Sequence, residues 1–175
     1  PGTALYSVPM LYRLSGELKI EALQKSLTEI VRRHEALGTR IQVIDGTPVQ
    51  IIEKTGKLNL DVRDLSGLKR DQRETELQRL IEYEWQQPFD LEHGPFLCVK
   101  LFTLSDREHQ LLITMHHIIS DGWSLEVLTR ELASLYEANC YGQASPLEKL
   151  QLQFADYPDW QRQGVQGTGL QGQTP

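Results

Sequence analysis

The stretch MHHIISDGWS, from Met115 to Ser124, marks the point where an apolar run changes to a helical pattern. Before it, Leu111, Leu112 and Ile113 form a run typical of a buried strand. After it, apolar residues recur at helical spacing as Leu125, Leu128, Leu132 and Leu135. The sequence therefore predicts that two histidines, an aspartate and a glycine lie on a strand-to-helix turn. Such a turn places an imidazole near the unpaired backbone amides that begin a helix, which suits chemistry on a polarised carbonyl group.

The composition of the whole chain indicates one globular unit with a real core. Its 175 residues are 39% hydrophobic, and single domains commonly contain about 100–200 residues. The 18 basic and 24 acidic residues give a net charge of -6, which argues against a phosphate-binding surface and against nucleic acid as a partner. The two cysteines, Cys98 and Cys140, are too few and too far apart to indicate a disulfide framework or a cysteine-rich metal site.

The sequence also favours a cytoplasmic location without a membrane partner. No stretch approaches the roughly 18 consecutive apolar residues that span a bilayer. The first residues, PGTALYSVPM, lack the charged-then-apolar order of a signal peptide. Cys98 and Cys140 are accordingly interpreted as small, partly buried thiols in a reducing compartment.

Apolar periodicity and turn residues predict strands and helices that do not alternate strictly, which favours an α+β fold. Asp45-Gly46 between two apolar runs predicts a two-residue β-hairpin turn, because this turn type requires positive backbone angles. Ser66 is placed to cap a charged helix whose buried side includes Leu77 and Trp85. The strand that ends at His117 is expected to pair with the preceding strand as an antiparallel hairpin. The predicted strands are Leu5 to Leu14, Thr39 to Val43, Val49 to Ile52, Leu58 to Val62, Phe96 to Leu104 and His109 to His117. The predicted helices are Ile20 to His34, the helix after Ser66, Gly122 to Asn139 and Phe154 to Gln163.

The last twelve residues differ in composition from the rest. The segment GVQGTGLQGQTP contains glycine and glutamine and has little to bury, so we expect it to be flexible. The predicted organisation is a folded unit over residues 1–163 and a flexible tail or linker over residues 164–175.

The two adjacent histidines are expected to have different roles. Neighbouring side chains on a strand point to opposite faces, so His116 and His117 cannot both face one cavity unless the strand has already ended. His117 is nearer the turn and lies four residues before Asp121, which makes it the candidate catalytic imidazole. A neutral histidine with an ordinary pKa of about 6.5 can take a proton from an amine or hydroxyl nucleophile.

Other residues of the turn have two interpretations each. Asp121 either faces the imidazole, as in a catalytic triad, or turns away to pair with an arginine, and the tight bend expected at Gly122 favours a structural Asp121. Trp123 is either a site residue or a core anchor. A zinc site is disfavoured, because adjacent histidines diverge on a strand and the zinc-protease pair is four residues apart on a helix. The chain has no glycine-rich phosphate cradle and no serine elbow, which disfavours nucleotide binding and a serine-hydrolase mechanism.

The stretch MHHIISDGWS resembles the HHxxxDG signature of condensation domains from non-ribosomal peptide synthetases, within the chloramphenicol acetyltransferase-like acyltransferases. Three further segments agree with this resemblance. RHEALGT, from Arg33 to Thr39, is similar to the family's RHExLRT segment. PFDLEHGP, from Pro88 to Pro95, resembles the loop before the hairpin, and FADYPDWQRQ, from Phe154 to Gln163, resembles the segment that closes the first half. Together they cover most of Leu5 to Gln163 in the expected order.

The resemblance implies a chloramphenicol acetyltransferase-like lobe, in which a mixed and largely antiparallel sheet packs with helices. The implied reaction forms an amide bond between two thioesters, each tethered to a carrier protein by phosphopantetheine, with no cofactor bound directly. His117 is then the base or the hydrogen-bonding positioner of the acceptor amine. Asp121 is then a structural carboxylate paired with Arg33, and Gly122 lies beside the reacting carbonyl. The remaining supporting residues are His116 and Trp123.

The chain departs from the family pattern in two ways. Gly38 stands where the family usually has a second arginine, for which Arg40 is close enough to substitute, and Ile41 stands where the family has an aromatic residue. In addition, condensation domains resemble two lobes with the active site in a tunnel between them, and this chain supplies the N-terminal lobe only. The expected partners are therefore the missing C-terminal lobe, carrier proteins and adjacent synthetase domains, and the lobe alone is expected to be inactive.

Two other functions remain open from the sequence. One is a non-catalytic module that docks a carrier protein or pairs with another lobe. The other is a stand-alone acyltransferase of the same superfamily, which transfers an acyl group to a hydroxyl. Within the family that the chain resembles, which serves secondary-metabolite biosynthesis, ISDGWS followed by LEVLTREL favours forms that condense amino-acid donors rather than epimerise or cyclise them.

Overall fold

The computed structural model describes residues 7–52, 58–90, 96–117, 122–148 and 150. These residues form an α+β fold, as the sequence predicted. A single turn of 3-10 helix, Glu35–Gly38, follows the first α-helix. The elements are β1 (Ser7–Ser15), α1 (Ile20–Arg33), β2 (Thr39–Ile44), β3 (Thr47–Ile52), β4 (Asp61–Asp64), α2 (Arg70–Trp85), β5 (Leu97–Ser105), β6 (Glu108–His116) and α3 (Gly122–Cys140).

A four-stranded sheet with the order β1-β6-β5-β4 forms the centre of the fold. β6 pairs antiparallel with β1 on one side and with β5 on the other, whereas β4 pairs parallel with β5. The sheet is therefore mixed and largely antiparallel, and the predicted hairpin that carries the histidines is confirmed. β2 and β3 form a separate two-stranded sheet.

Helices cover both faces of the four-stranded sheet. Alternate side chains of a strand point to opposite faces, so Leu111 and Ile113 enter a core with α1 and α3, whereas Leu112 enters a smaller core with α2. Burial on both faces explains why β6 is apolar without alternation. The end of β6 therefore lies within a sheet that is fixed from both sides.

The predicted hairpin at Asp45-Gly46 is confirmed. Asp45 has a φ of 51° and Gly46 a φ of 79°, which are the positive angles that the favoured two-residue turns require. The antiparallel register places Ile44 opposite Thr47 on either side of this turn. The short aspartate side chain tolerates the left-handed conformation better than most residues do.

Two expectations for α2 are wrong. Ser66 does not cap the helix, because α2 begins four residues later and its cap residue, Lys69, makes no side-chain capping bond. The Ser66 amide instead donates to Oδ1 of Asp64 at 2.9 Å, a local turn that competes with capping. Trp85 is 50% exposed, because the residue of this last turn that faces the sheet is Glu84, which pairs with Lys100 of β5. Leu77 is buried as expected.

α1 and α3 pack against each other in opposite directions. Lys19, before α1, donates through Nζ to the carbonyl oxygen of Cys140, the last residue of α3, at 2.9 Å. Midway along α1, the fully buried Ser26 hydroxyl accepts a 2.9 Å hydrogen bond from Nδ2 of Asn139. This antiparallel arrangement carries Arg33, at the far end of α1, toward the middle of α3.

Candidate active site

The two histidines lie where the central strand β6 ends. His116 is the last residue of β6, and its backbone N–H donates to the Phe96 carbonyl at 3.0 Å. His117 follows the strand and has an exposed side chain, whereas His116 is half-buried. The structure therefore gives the two adjacent imidazoles different environments, and the strand ends between them.

Two aromatic rings hold His116. The ring of Phe89 meets the imidazole edge-on, with centroids 5.8 Å apart and planes at 88°. The ring of Phe96 lies at the same centroid distance with a tilt of 37°. Burial lowers the pKa of His116 below its usual value of 6.5, and the nearby charge of His117 lowers it further. His116 is therefore held mainly neutral at physiological pH.

The other residues of the turn lie partly outside the described structure. Asp121 falls outside the described residues, so its predicted pairing with Arg33 stays a prediction. Gly122 is the first residue of α3, which places the start of the helix five residues after His117. Trp123 also belongs to the first turn of α3. The predicted strand-to-helix change is thus confirmed at both of its described ends.

Arg33, the last residue of α1, contacts a buried carboxylate of α3. Its Nε donates to Oε2 of Glu131 at 3.0 Å. His34 follows α1 in extended conformation, and its Nε2 lies 2.7 Å from the same oxygen. The side chains of Arg33 and Glu131 are only 13% and 8% exposed. One carboxylate oxygen of Glu131 therefore binds two consecutive residues of the RHEALGT segment.

Sequence reasoning missed Glu131 as well as the two phenylalanines around His116. A signal for Glu131 exists, because it lies one turn from Val127 and one turn from Leu135 on the buried side of α3. An acidic residue on the apolar face of a helix requires a partner. Phe89 and Phe96 carry no comparable signal, because they come close to His116 only when the loop and the hairpin have folded.

Metal-binding clusters and membrane-spanning helices were both sought among the described residues. Across its residues, no group of three histidine, cysteine or carboxylate side chains is arranged to hold a metal ion. None of its helices is long and apolar enough to cross a bilayer. Cys98 and Cys140 are free and partly buried.

The sequence is similar to large peptide synthetases over nearly its whole length. It is 41% identical over 169 residues to malpinin synthetase of Mortierella alpina, covering 97% of this chain and 2% of that protein. It is 37% identical to phosphinothricin tripeptide synthetase PhsB of Streptomyces viridochromogenes, covering 96% of this chain and 14% of that protein. The chain thus spans a small part of the curated relatives that it matches.

Solved structures show the same fold. The X-domain from teicoplanin biosynthesis is 32% identical, with a TM-score of 0.80, and the match covers 96% of this chain and 36% of that one. The first condensation domain of the calcium-dependent antibiotic synthetase, in complex with a substrate analogue, is 26% identical with a TM-score of 0.81. That match covers 97% of this chain and 40% of the other. The profile of the condensation-domain family matches residues 1–174, and the chain therefore belongs to the condensation-domain family.

Proposed function

We propose that residues 1–163 form the N-terminal lobe of a condensation domain that makes amide bonds in a non-ribosomal peptide synthetase, and that residues 164–175 form a flexible tail or linker. The family match over residues 1–174 and the synthetase relatives support this proposal. The reaction joins two thioester-bound substrates that carrier proteins deliver on phosphopantetheine arms. The acceptor amine attacks the carbonyl carbon of the donor thioester, the C–N bond forms, and the C–S bond breaks to release the donor carrier's thiol.

His117 is the proposed catalytic residue. Its exposed imidazole is accessible to a substrate, and a neutral imidazole can accept the proton of the attacking amine or hold that amine by a hydrogen bond. α3 begins five residues later at Gly122, and the unpaired amides of a helix N-terminus favour negative charge that develops on a carbonyl oxygen. The single observation that carries the proposal is the exposed imidazole of His117. It lies at the end of β6, whose two faces are covered by helices, and five residues before α3 starts.

The remaining predicted site residues have supporting roles in the proposal. His116, held neutral between Phe89 and Phe96, fixes the end of β6. Asp121 pairs with Arg33 and braces the turn, and Trp123 anchors the start of α3. None of these side chains is required to touch the substrates.

The proposal also assigns partners and a location. The structural neighbours are more than twice as long as this chain, because it covers 36% and 40% of the two described above. We propose that a second lobe forms the opposite wall of a tunnel, and that its absence leaves the lobe inactive, because proximity and water exclusion supply much of such a site's rate. Carrier proteins and adjacent synthetase domains are the other proposed partners, and the proposed location is the cytoplasm.

Replacement of His117 tests the proposed function. In the intact synthetase that carries this chain, His117→Ala is expected to lower amide formation at least about 100-fold, the range typical of losing a general base. Single-turnover assays with preloaded donor and acceptor carriers measure this rate. The matched control is Tyr141→Ala, an exposed residue after the far end of α3, about 28 Å away along the 19-residue helix.

The possible outcomes separate the proposed function from its alternatives. Loss of amide formation with His117→Ala and retention with Tyr141→Ala support catalysis by His117. Unchanged amide formation in His117→Ala contradicts the catalytic proposal and favours a module that docks carriers or pairs with another lobe. Acyl transfer to a hydroxyl acceptor, without amide formation, favours the stand-alone acyltransferase.

A further inference from the structure

Glu131 is a buried carboxylate that binds the two residues where α1 ends. Its side chain is 8% exposed, and its Oε2 accepts from Nε of Arg33 at 3.0 Å. The same oxygen lies 2.7 Å from Nε2 of His34. One oxygen therefore fixes the last helical residue of α1 and the residue that leaves the helix.

Stability alone is a poor explanation for this carboxylate. Glu131 lies among the buried residues Leu128, Leu132 and Leu135 of α3, where an apolar side chain would also pack. Buried ion pairs are often no more stabilising than the apolar residues that replace them, because two charges must be desolvated. What the ion pair adds is a defined orientation of the guanidinium group, since its donors form a rigid planar fork.

We infer that Glu131 is a positioning residue for amide formation, acting through Arg33. Glu131 holds the Nε edge of Arg33, which sets the direction of the terminal nitrogens of the guanidinium. The proposed function, on which this inference rests, pairs Arg33 with Asp121, four residues after His117. Glu131 on α3 thus orients Arg33, and Arg33 in turn holds the segment that follows the catalytic imidazole.

A double-mutant cycle tests this inference in the intact synthetase. Glu131→Gln keeps the shape of the side chain but removes its charge, and it is expected to lower kcat about 10-fold, because small misplacements of a catalytic group cost this much or more. KM for the acceptor carrier is expected to stay unchanged, since the Glu131 side chain is buried and paired with Arg33. In an Arg33→Lys background, which lacks the planar fork, Glu131→Gln is expected to cause no further loss of kcat.

A matched control separates positioning from general destabilisation. Glu84→Gln on α2 removes a carboxylate that is also shielded from solvent, 16% exposed and paired with Lys100 of β5, and it is expected to leave kcat unchanged. Equal losses in Glu131→Gln and Glu84→Gln, or additive losses in the double mutant, overturn the inference.

If Glu131→Gln does not fold by circular dichroism, Glu131→Asp replaces it, because the shorter carboxylate cannot reach both donors. Unchanged kcat in Glu131→Asp also overturns the inference. His117→Ala in the same assay reports on the proposed function separately, so the two failures are distinguishable.

Discussion

At the scale of single residues, adjacent histidines acquire different properties because a strand ends between them. His116 closes β6 with its ring packed against Phe89 and Phe96, whereas His117 is exposed. Desolvation penalises a charged imidazole, which lowers the pKa of His116. A neutral His116 also places no positive charge beside His117, which we propose to accept a proton during the reaction.

The lowered pKa of His116 predicts a loss of stability in acid. Below its ordinary value of 6.5, the unfolded chain binds a proton at this residue before the folded protein does. The neutral His116 therefore contributes fully to the unfolding free energy above pH 6.5. This contribution is lost as the pH falls from 6.5 through the lower pKa of the folded state. Urea unfolding at about pH 8 and about pH 5, on either side of the ordinary histidine pKa, should show a larger loss of unfolding free energy for the wild-type protein than for His116→Gln. Groups that titrate in both proteins cancel in this comparison, and equal losses would contradict the prediction.

At the scale of elements, an ion-pair network attaches α2 to the sheet. Nζ of Lys100 on β5 lies 2.8 Å from Asp61 on β4 and 3.0 Å from Glu84 on α2. Burial alone would lower the pKa of Lys100, but the hydrogen bonds to Asp61 and Glu84 outweigh it and raise that pKa. The hydrogen bond from Lys100 also lowers the pKa of Asp61. The helix that covers this face of the sheet is thus held by charge as well as by its buried Leu77.

Replacing Lys100 should loosen α2. Lys100→Met keeps the aliphatic stem but leaves two carboxylates facing each other, with Glu84 only 16% exposed. We expect a loss of about 2 kcal/mol in unfolding free energy, between the values typical of exposed and of buried pairs, measured by urea titration. Arg79→Met, which breaks an exposed pair with Glu76 on the same helix, serves as the control and should have no measurable effect. Similar losses in the two variants would refute a special role for Lys100.

At the scale of the whole molecule, the main core joins the sheet to α1 and α3. Its members come from elements far apart in sequence, so each contributes to the position of the others. The buried residues of this core are Leu23, Leu27, Ile30, Leu37, Leu58, Leu60, Leu97, Val99, Leu101, Leu111, Ile113, Met115, Leu128, Leu132 and Leu135. The end of β6 and the start of α3 are both attached to it, so the core sets the geometry of the proposed site.

A cavity in this core should destabilise the whole fold. Leu101, at the centre of β5, has no exposed surface, and Leu101→Ala should lower the unfolding free energy by about 3 kcal/mol. The matched control is Leu11→Ala on β1 of the same sheet, where the side chain is 48% exposed and the expected loss is below about 1 kcal/mol. Denaturant unfolding should show a lower midpoint with an unchanged slope for Leu101→Ala. A Leu101 loss no larger than that of Leu11 would disprove the assignment of the core.

Local patterns in the sequence determined most of the elements. Apolar periodicity predicted the positions of α1, β5, β6 and α3, because helices and strands bury side chains at different intervals. Asp45-Gly46 determined its hairpin, because the required backbone angles are a property of these two residues. Different environments for His116 and His117 were also expected from the sequence, but β6 ends at His116, so alternation along a strand does not explain why His117 is exposed.

Only the tertiary structure decided which distant residues meet. The contact of Glu131 with Arg33 and His34 joins residues 98 and 97 positions apart, and no local pattern specifies such a pair. Likewise, Phe89 and Phe96 pack on His116 only after the hairpin has formed, and the partner of Lys100 on α2 depends on how that helix crosses the sheet. Sequence patterns record which side chains are to be buried, whereas packing in three dimensions determines the partners with which they are buried.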